Sequence, residues 1–373
     1  MFEAIKRNPV ISGVAIFLVI VVNIVGWYLY FTWQNPLGNP LDLPTVTQPF
    51  STATEVDLEE DKPSDTPNPE KHNSPTKTPE PTYTATIEPV CGGLPAMTVL
   101  VSGIDRNDYV YGLADAIRVV RVDFQTKKIT VLSLPRELWV EIPGIEDDTG
   151  VSHGLLNMSY FYGTEGMGYA EGSGTGSSSL ALTLQENFGL RVDHYIAVNM
   201  SSFRRIVDAV GGVSVCLDGD VYRGFTGPVV SKKKLFLKAG CHVLDGEEAE
   251  ILVRQRLDVN PGTRLQYQTL VLKQLSKKVL SPSIFKSIPT LVDELLNSVQ
   301  TDLSPSQISK FICLAEQIDP EEDIIFTTIP QDILRNRYTY FAPLDAKIKN
   351  FVERDEGAIN EILSRFQNGE WPE

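Results

Sequence analysis

Apolar positions along this chain change rhythm several times. Residues 10–31, "VISGVAIFLVIVVNIVGWYLYF", form one uncharged run. A helix needs about 20 apolar residues to span a bilayer, so this run predicts a transmembrane helix. From residue 97 onward the apolar residues come in short runs of β-formers. "MTVLVSGI" (97–104), "AIRVVRVDF" (116–124) and "KKITVLSL" (127–134) read as three strands. The turn "QTKK" separates the last two, and the three strands are expected to form an up-down-up meander.

Helical periodicity follows. "SSSLALTLQENFG" (177–189) predicts a helix with serines available to cap its start and Gly189 to stop it. "HYIAVN" (194–199) and "GVSVCL" (212–217) predict strands on either side of a short amphipathic helix, "SSFRRIVDAVGG" (201–212). "DGEEAEILV" (245–253) opens a helix with an Asp245 cap and early acids that suit the helix dipole. Residues 264–280 carry Leu265, Leu272, Leu275 and Val279 on one side of a further helix, and 305–318 predict another. Strands and helices alternate without a repeat. The expectation is one α/β domain, a mixed central sheet with helices packed on both faces.

Charge adds a topology. Lys6 and Arg7 precede the apolar run, and no basic residue follows it until Lys62. This asymmetry places residues 1–9 in the cytoplasm and the rest outside, anchored by one membrane-spanning helix. Trp27, Tyr28, Tyr30 and Trp33 suit an interfacial aromatic belt. A cleavable signal peptide fits less well, because its apolar core is usually shorter and no small-x-small site follows Gly26.

Residues 34–89 hold eleven of the 24 prolines, and ten acidic residues against three lysines give them a net charge of −7 out of the chain's −15. Such a segment lacks the apolar content to offset its ordering entropy. The expected organisation is a cytoplasmic tail (1–9), a membrane anchor (10–31), a disordered extracytoplasmic linker or stalk (32–90) and an extracytoplasmic domain (91–373). An acidic chain outside the cytoplasm is not expected to bind nucleic acid.

Four cysteines lie outside the membrane in this topology, where disulfides persist. No C-x-x-C spacing exists, and the four histidines are scattered, so a zinc site is not expected. Cys216 and Cys241 flank a loop with Lys232, Lys233 and Lys234 and are expected to pair. Cys91 is expected to pair with Cys313.

Candidate chemistry gathers at strand ends. Strand one ends at Asp105, strand two begins after Asp115, and strand three ends just before Arg136. In a meander these ends lie together. Two carboxylates there repel unless a cation separates them. Magnesium fits, since it combines one or two carboxylates with phosphates and water. "VRQRLDVNPGTRLQYQ" (253–268) adds Arg254, Arg256 and Arg264, whose planar donor forks suit phosphate. The competing readings are turn aspartates and a solvated helix face.

Together, "VLVSGIDR", "LADAIRVVRVDFQTKKITVLSLPRELWVEIPG", "LLNMSYFYG", "VDHYIAVNMSSFRRIVDAVGGVSV" and "LDGEEAEILVRQRLDVNPGTRLQYQ" resemble the LytR–CpsA–Psr family of membrane-anchored cell-wall proteins. The resemblance spans 97–280 and weakens towards 330. It implies an α/β/α sandwich with a deep apolar groove for a polyprenyl chain. It also implies magnesium-dependent phosphotransfer of a glycan polymer from a polyprenyl diphosphate carrier to a wall acceptor such as peptidoglycan.

Asp105 and Asp115 match the family's metal-proximal acids, and Arg136 matches the arginine of its Pro-Arg-Asp motif. Arg254, Arg256, Arg264 and Gln268 match its diphosphate-binding run, with Asp258 at an acidic position suited to a base. Leu113, Glu137 and Tyr267 depart from the family pattern, where Arg, Asp and Arg are common. Arg106 or Arg118 would compensate for Leu113 if its side chain faced the site. Hydrolysis of the carrier, or carrier binding without turnover, are the alternative functions.

Overall fold

The computed structural model describes residues 23, 26–28, 30–41 and 43, and then 88–372 except 93, 147–149, 168–174, 224–233, 256–260, 282–283, 285–290, 292, 294–297 and 356. Contacts divide the chain into two units. One comprises Met1–Leu43 and Pro89–Glu373, and the other is Pro44–Glu88, of which only Glu88 is described.

A six-stranded sheet forms the middle of the domain. Its strands are β1 (Ala96–Ile104), β2 (Ala114–Asp123), β3 (Lys128–Leu134), β4 (His194–Asn199), β5 (Gln300–Thr301) and β6 (Ile324–Thr328), in the spatial order β5-β4-β1-β2-β3-β6. β1, β2 and β3 form the antiparallel meander that the sequence predicts. β4 runs parallel to β1, and β6 runs parallel to β3, so the sheet is mixed. The β1–β4 pairing requires a crossover, and helices supply it.

These helices are α1 (Leu156–Tyr162) and α2 (Gly176–Phe188). With the last helix described below, they cover one face of the sheet. There Leu100, Ile104, Ile117, Val119 and Leu132 are buried with Tyr160, Leu180, Leu184, Leu363 and Phe366. Thr175, not one of the serines, caps α2 by accepting from the Ser178 amide at 3.2 Å. Gly189 ends α2 in the left-handed region, φ 63°.

The opposite face carries α3 (Met200–Ala209), α4 (Gly246–Val253), α5 (Pro261–Val279) and α6 (Pro305–Ala315). Asp245 caps α4 in a reciprocal capping box with Glu248. A hairpin of Val213–Leu217 and Gly240–Leu244 braces α3, α4 and α5 through a second apolar cluster. The third cluster, with Val99, Val122, Phe124 and Leu314, closes the face beneath α6.

Periodicity did not reveal the C-terminal part. A hairpin of Leu334–Phe341 and Ala346–Glu353 and then α7 (Ala358–Asn368) follow β6. Arg121 on β2 holds α7 by donating to the Gln367 carbonyl at 3.1 Å.

Both expected disulfides form, Cys91–Cys313 and Cys216–Cys241. The latter pair sits directly opposite across the hairpin. The stretch that the sequence assigns to the linker reaches the domain at its start. Leu37 donates to the Leu303 carbonyl at 3.1 Å, and Leu41 and Leu43 pack on the first apolar cluster. Most of the anchor at 10–31 lies outside the described residues. Among the described residues, no helix is long and apolar enough to cross a membrane.

Candidate functional site

A cavity of about 740 Å³ opens between the sheet and α3, α4 and α5. Val198, Phe203, Ile251, Leu272 and Leu275 contribute apolar walls, and Asp105, Asp115, Arg254, Arg264 and Gln268 contribute charge and polarity. The amphipathic lining follows from the strand ends. Val101, Ala116 and Val198 line the cavity from within the strands beside Ser102 and Arg118, while Asp105 follows β1 and Asp115 lies at the start of β2.

One residue fixes both aspartates. The Leu113 carbonyl accepts from the amides of Asp105, at 3.1 Å, and Asp115, at 3.0 Å. The Leu113 amide donates back to Asp105 Oδ1 at 2.8 Å. Gly112 permits this close turn, because a Cβ there would stand 2.6 Å from Ile104 Cγ2 and 3.4 Å from Asp105 Oδ1.

Arg136 leaves β3 beside the start of β2, as the meander predicts, and donates to Asp115 Oδ1. Asn157 on α1 donates to the same oxygen at 3.2 Å. Glu137 Oε1 accepts from Arg136 Nε at 2.7 Å and from Arg264 Nη2 at 3.0 Å. Burial disfavours the charge of Arg136, but the adjacent Asp115 and Glu137 outweigh it and hold the guanidinium above its ordinary pKa. Arg264 is held below its ordinary value by burial and by the neighbouring Arg136 charge.

Arg254 follows the last residue of α4, where the sequence places the helix exit. Its Nη1 lies 2.7 Å from Glu250 Oε1. Glu250 also pairs with Arg204 of α3. Gln268 donates weakly to the Val253 carbonyl at 3.4 Å, joining α5 to the end of α4. Asp105, Asp115, Arg136, Arg254, Arg264 and Gln268 therefore assemble at one site. Arg256 and Asp258 lie outside the described residues.

Arg118 faces the cavity from within β2, so it, unlike a surface arginine, can replace the charge missing at Leu113. Tyr267 packs on the second apolar cluster instead of presenting a cation. Sequence reasoning missed Glu137, Asn157, Arg204 and Glu250 as site residues. The Glu250–Arg254 spacing of four was a visible signal, since such pairs meet on a helix.

Among the described residues, no group of three or more His, Cys, Asp or Glu forms a metal cluster. The two aspartates at the cavity are hard oxygen donors, and this fits a cation that completes its shell with phosphate and water.

Fold and site define an α/β protein with an amphipathic, arginine-rich groove on one face of a mixed sheet. The chain belongs to the LytR–CpsA–Psr family, whose model, LytR_cpsA_psr family, matches residues 57–356. It is 29% identical over 220 residues to a polyisoprenyl-teichoic acid–peptidoglycan teichoic acid transferase TagU of Oceanobacillus iheyensis, covering 58% of this chain and 62% of that one. It is 27% identical over 229 residues to biofilm regulatory protein A of Streptococcus mutans, covering 58% and 52%. The chain thus spans between half and two thirds of the length of these curated relatives. The crystal structure of Bacillus subtilis TagV superposes with a TM-score of 0.56 at 20% identity, covering 74% of this chain and 97% of that one. The protein gbs0355 of Streptococcus agalactiae gives a TM-score of 0.57 at 20% identity, covering 73% and 87%. These two structures share the fold.

Proposed function

We propose that the chain is a membrane-anchored transferase that moves a glycan polymer from a polyprenyl diphosphate carrier to a cell-wall acceptor such as peptidoglycan. The supporting observation is one cavity that joins apolar walls to a mouth of carboxylates and arginines. A long-chain lipid diphosphate has the same two halves. The activity for which the Oceanobacillus relative is named, teichoic acid transfer to peptidoglycan, agrees with this reading. The uncharged run at 10–31 and its one-sided basic flank support the anchor and an extracytoplasmic domain.

In this reading the apolar walls take the lipid, and Arg136, Arg254, Arg256, Arg264 and Gln268 bind the diphosphate. A guanidinium carries five donors, so Arg264 can keep Glu137 and still present N–H groups to a phosphate oxygen. An acceptor hydroxyl attacks the sugar-proximal phosphorus, and the bond to the bridging oxygen breaks. Polyprenyl phosphate leaves with that oxygen, and Asp258 takes the hydroxyl proton. Positioning and charge stabilisation supply most of the catalysis. Asp105 and Asp115 would hold magnesium, whose charge would neutralise the diphosphate.

The test is transfer of a labelled glycan from a synthetic polyprenyl diphosphate to peptidoglycan by the full chain. Product formation that Arg264→Ala abolishes is the expected result. Carrier bound but never turned over would leave a binding protein, and carrier consumed without an acceptor product would indicate hydrolysis.

A further inference from the structure

Arg118 is the unusual cation of the cavity. Its side chain points from the middle of β2 into the groove, yet the residue is only 4% exposed. Arg136 is tied to Asp115 and Glu137, Arg264 to Glu137, and Arg204 and Arg254 to Glu250. Among the described residues, the Arg118 guanidinium has no hydrogen-bond or ion-pair partner. Burial alone pulls its guanidinium down to about 10, so it remains cationic at neutral pH. A buried charge without a partner is costly, and it is the group of this cavity most ready to receive an anion.

Its position along the groove identifies which anion. Side chains alternate along a strand, so Ala116, Arg118, Val120 and Val122 share the groove face. Arg118 is three residues from Asp115, or about 10 Å along β2 at roughly 3.3 Å per residue. Its register partner Val101 lines the same cavity. Further along, Val99 and Val122 are sealed in the cluster beneath α6. Arg118 thus stands between the charged mouth and the closed apolar end.

We propose that Arg118 binds the lipid-side phosphate of the carrier and remains with it as polyprenyl phosphate leaves. This rests on the carrier reading above and adds a contact from β2 to those proposed for the run 253–268. A diphosphate spans the mouth with its sugar-side phosphate among Arg136 and Arg264 and its lipid-side phosphate on Arg118. When the bridging oxygen departs, negative charge grows on the lipid-side phosphate, so the buried guanidinium favours departure as well as binding.

The test compares full-length wild type, Arg118→Met and Arg118→Gln in nonionic detergent. Each is titrated with a polyprenyl monophosphate and with the neutral polyprenol of equal length, and each is melted without ligand. Both variants should bind the monophosphate about ten- to a hundred-fold more weakly, the range of a charge-assisted contact. Polyprenol affinity should be unchanged, and Arg118→Met should melt at or above wild type, because it removes an unpaired buried charge. Retained monophosphate affinity in either folded variant overturns the proposal. So does an equal loss for polyprenol, which would mean a reshaped groove, and so does unfolding of both variants, which would make Arg118 a structural residue. Wild type that binds neither lipid overturns the carrier reading itself.

Discussion

Glu137 and Arg264 stand 127 residues apart in sequence and meet at 3.0 Å. The same Glu137 oxygen receives Arg136 at 2.7 Å, so one carboxylate orients two arginines from different elements. The paired side chains are only 12–19% exposed, and Gln at position 137 would keep an oxygen to accept from both arginines, so the substitution removes charge without leaving either donor unsatisfied. Their value lies in aim. Glu137→Gln should therefore lower the melting temperature by no more than a few degrees and reduce transfer by about tenfold or more. Parallel melting and transfer assays check this, and a large melting loss with undiminished transfer would contradict it.

Gly112 sets the placement of Asp105. A methyl group there meets Ile104 Cγ2 at 2.6 Å and backbone φ is +156°, so Gly112→Ala must displace the turn that presents Leu113 to both aspartates. The expected outcome is loss of most transfer together with destabilisation of about 1–3 kcal/mol, the usual scale for overpacking and backbone strain. Denaturant titration and transfer assay on the same preparation measure both. Transfer at the wild-type level would show that the turn does not position Asp105.

Asp123, at the far end of β2, carries a pH-dependent part of the stability. Burial pushes its carboxyl up, but the Thr126 amide at 2.8 Å and Arg121 at 2.6 Å outweigh burial and hold it below the ordinary value of 3.8. A folded pKa below the unfolded one stabilises above the unfolded value and is lost as pH falls through the folded value. Melting of wild type and Asp123→Asn from pH 6 to pH 3 should show a gap that is widest at pH 6 and shrinks below about pH 4. A gap independent of pH would remove the carboxylate from this role.

The Cys91–Cys313 link closes 222 residues and joins the start of the domain to α6, whereas Cys216–Cys241 closes 25 within a hairpin. Loop-closure entropy grows slowly with length. Replacing both Cys91 and Cys313 by Ala should cost about 2–4 kcal/mol, and more than replacing Cys216 and Cys241. Denaturant unfolding of the two double variants ranks them, and the reverse order would show that strain or residual structure outweighs chain entropy.

Local pattern made the meander, α2 and the Asp245 cap of α4 legible, because alternation, caps and glycine stops are local signals. Convergence of Asp105, Asp115 and Arg136 was legible for the same reason, since antiparallel neighbours bring alternate strand ends together. Pairing across the fold was not. Glu137 reaches Arg264 only because α5 folds back over the sheet, and no spacing in the sequence encodes that approach. Arg118 was ambiguous in the sequence because a strand offers two faces, and packing of Ile117 and Val119 into the first apolar cluster decides which one it occupies. The hairpin after β6 and α7 carried too little periodic contrast to read.

The most direct measurement of the central claim is the mass and stoichiometry of lipid carried by the purified full chain. About one polyprenyl phosphate or diphosphate species per chain is expected, depleted in Arg264→Ala and in Arg118→Met while both variants remain folded. A chain that carries no polyprenyl phosphate, or only bulk phospholipid in the proportions of the membrane and equally in all three proteins, would contradict it.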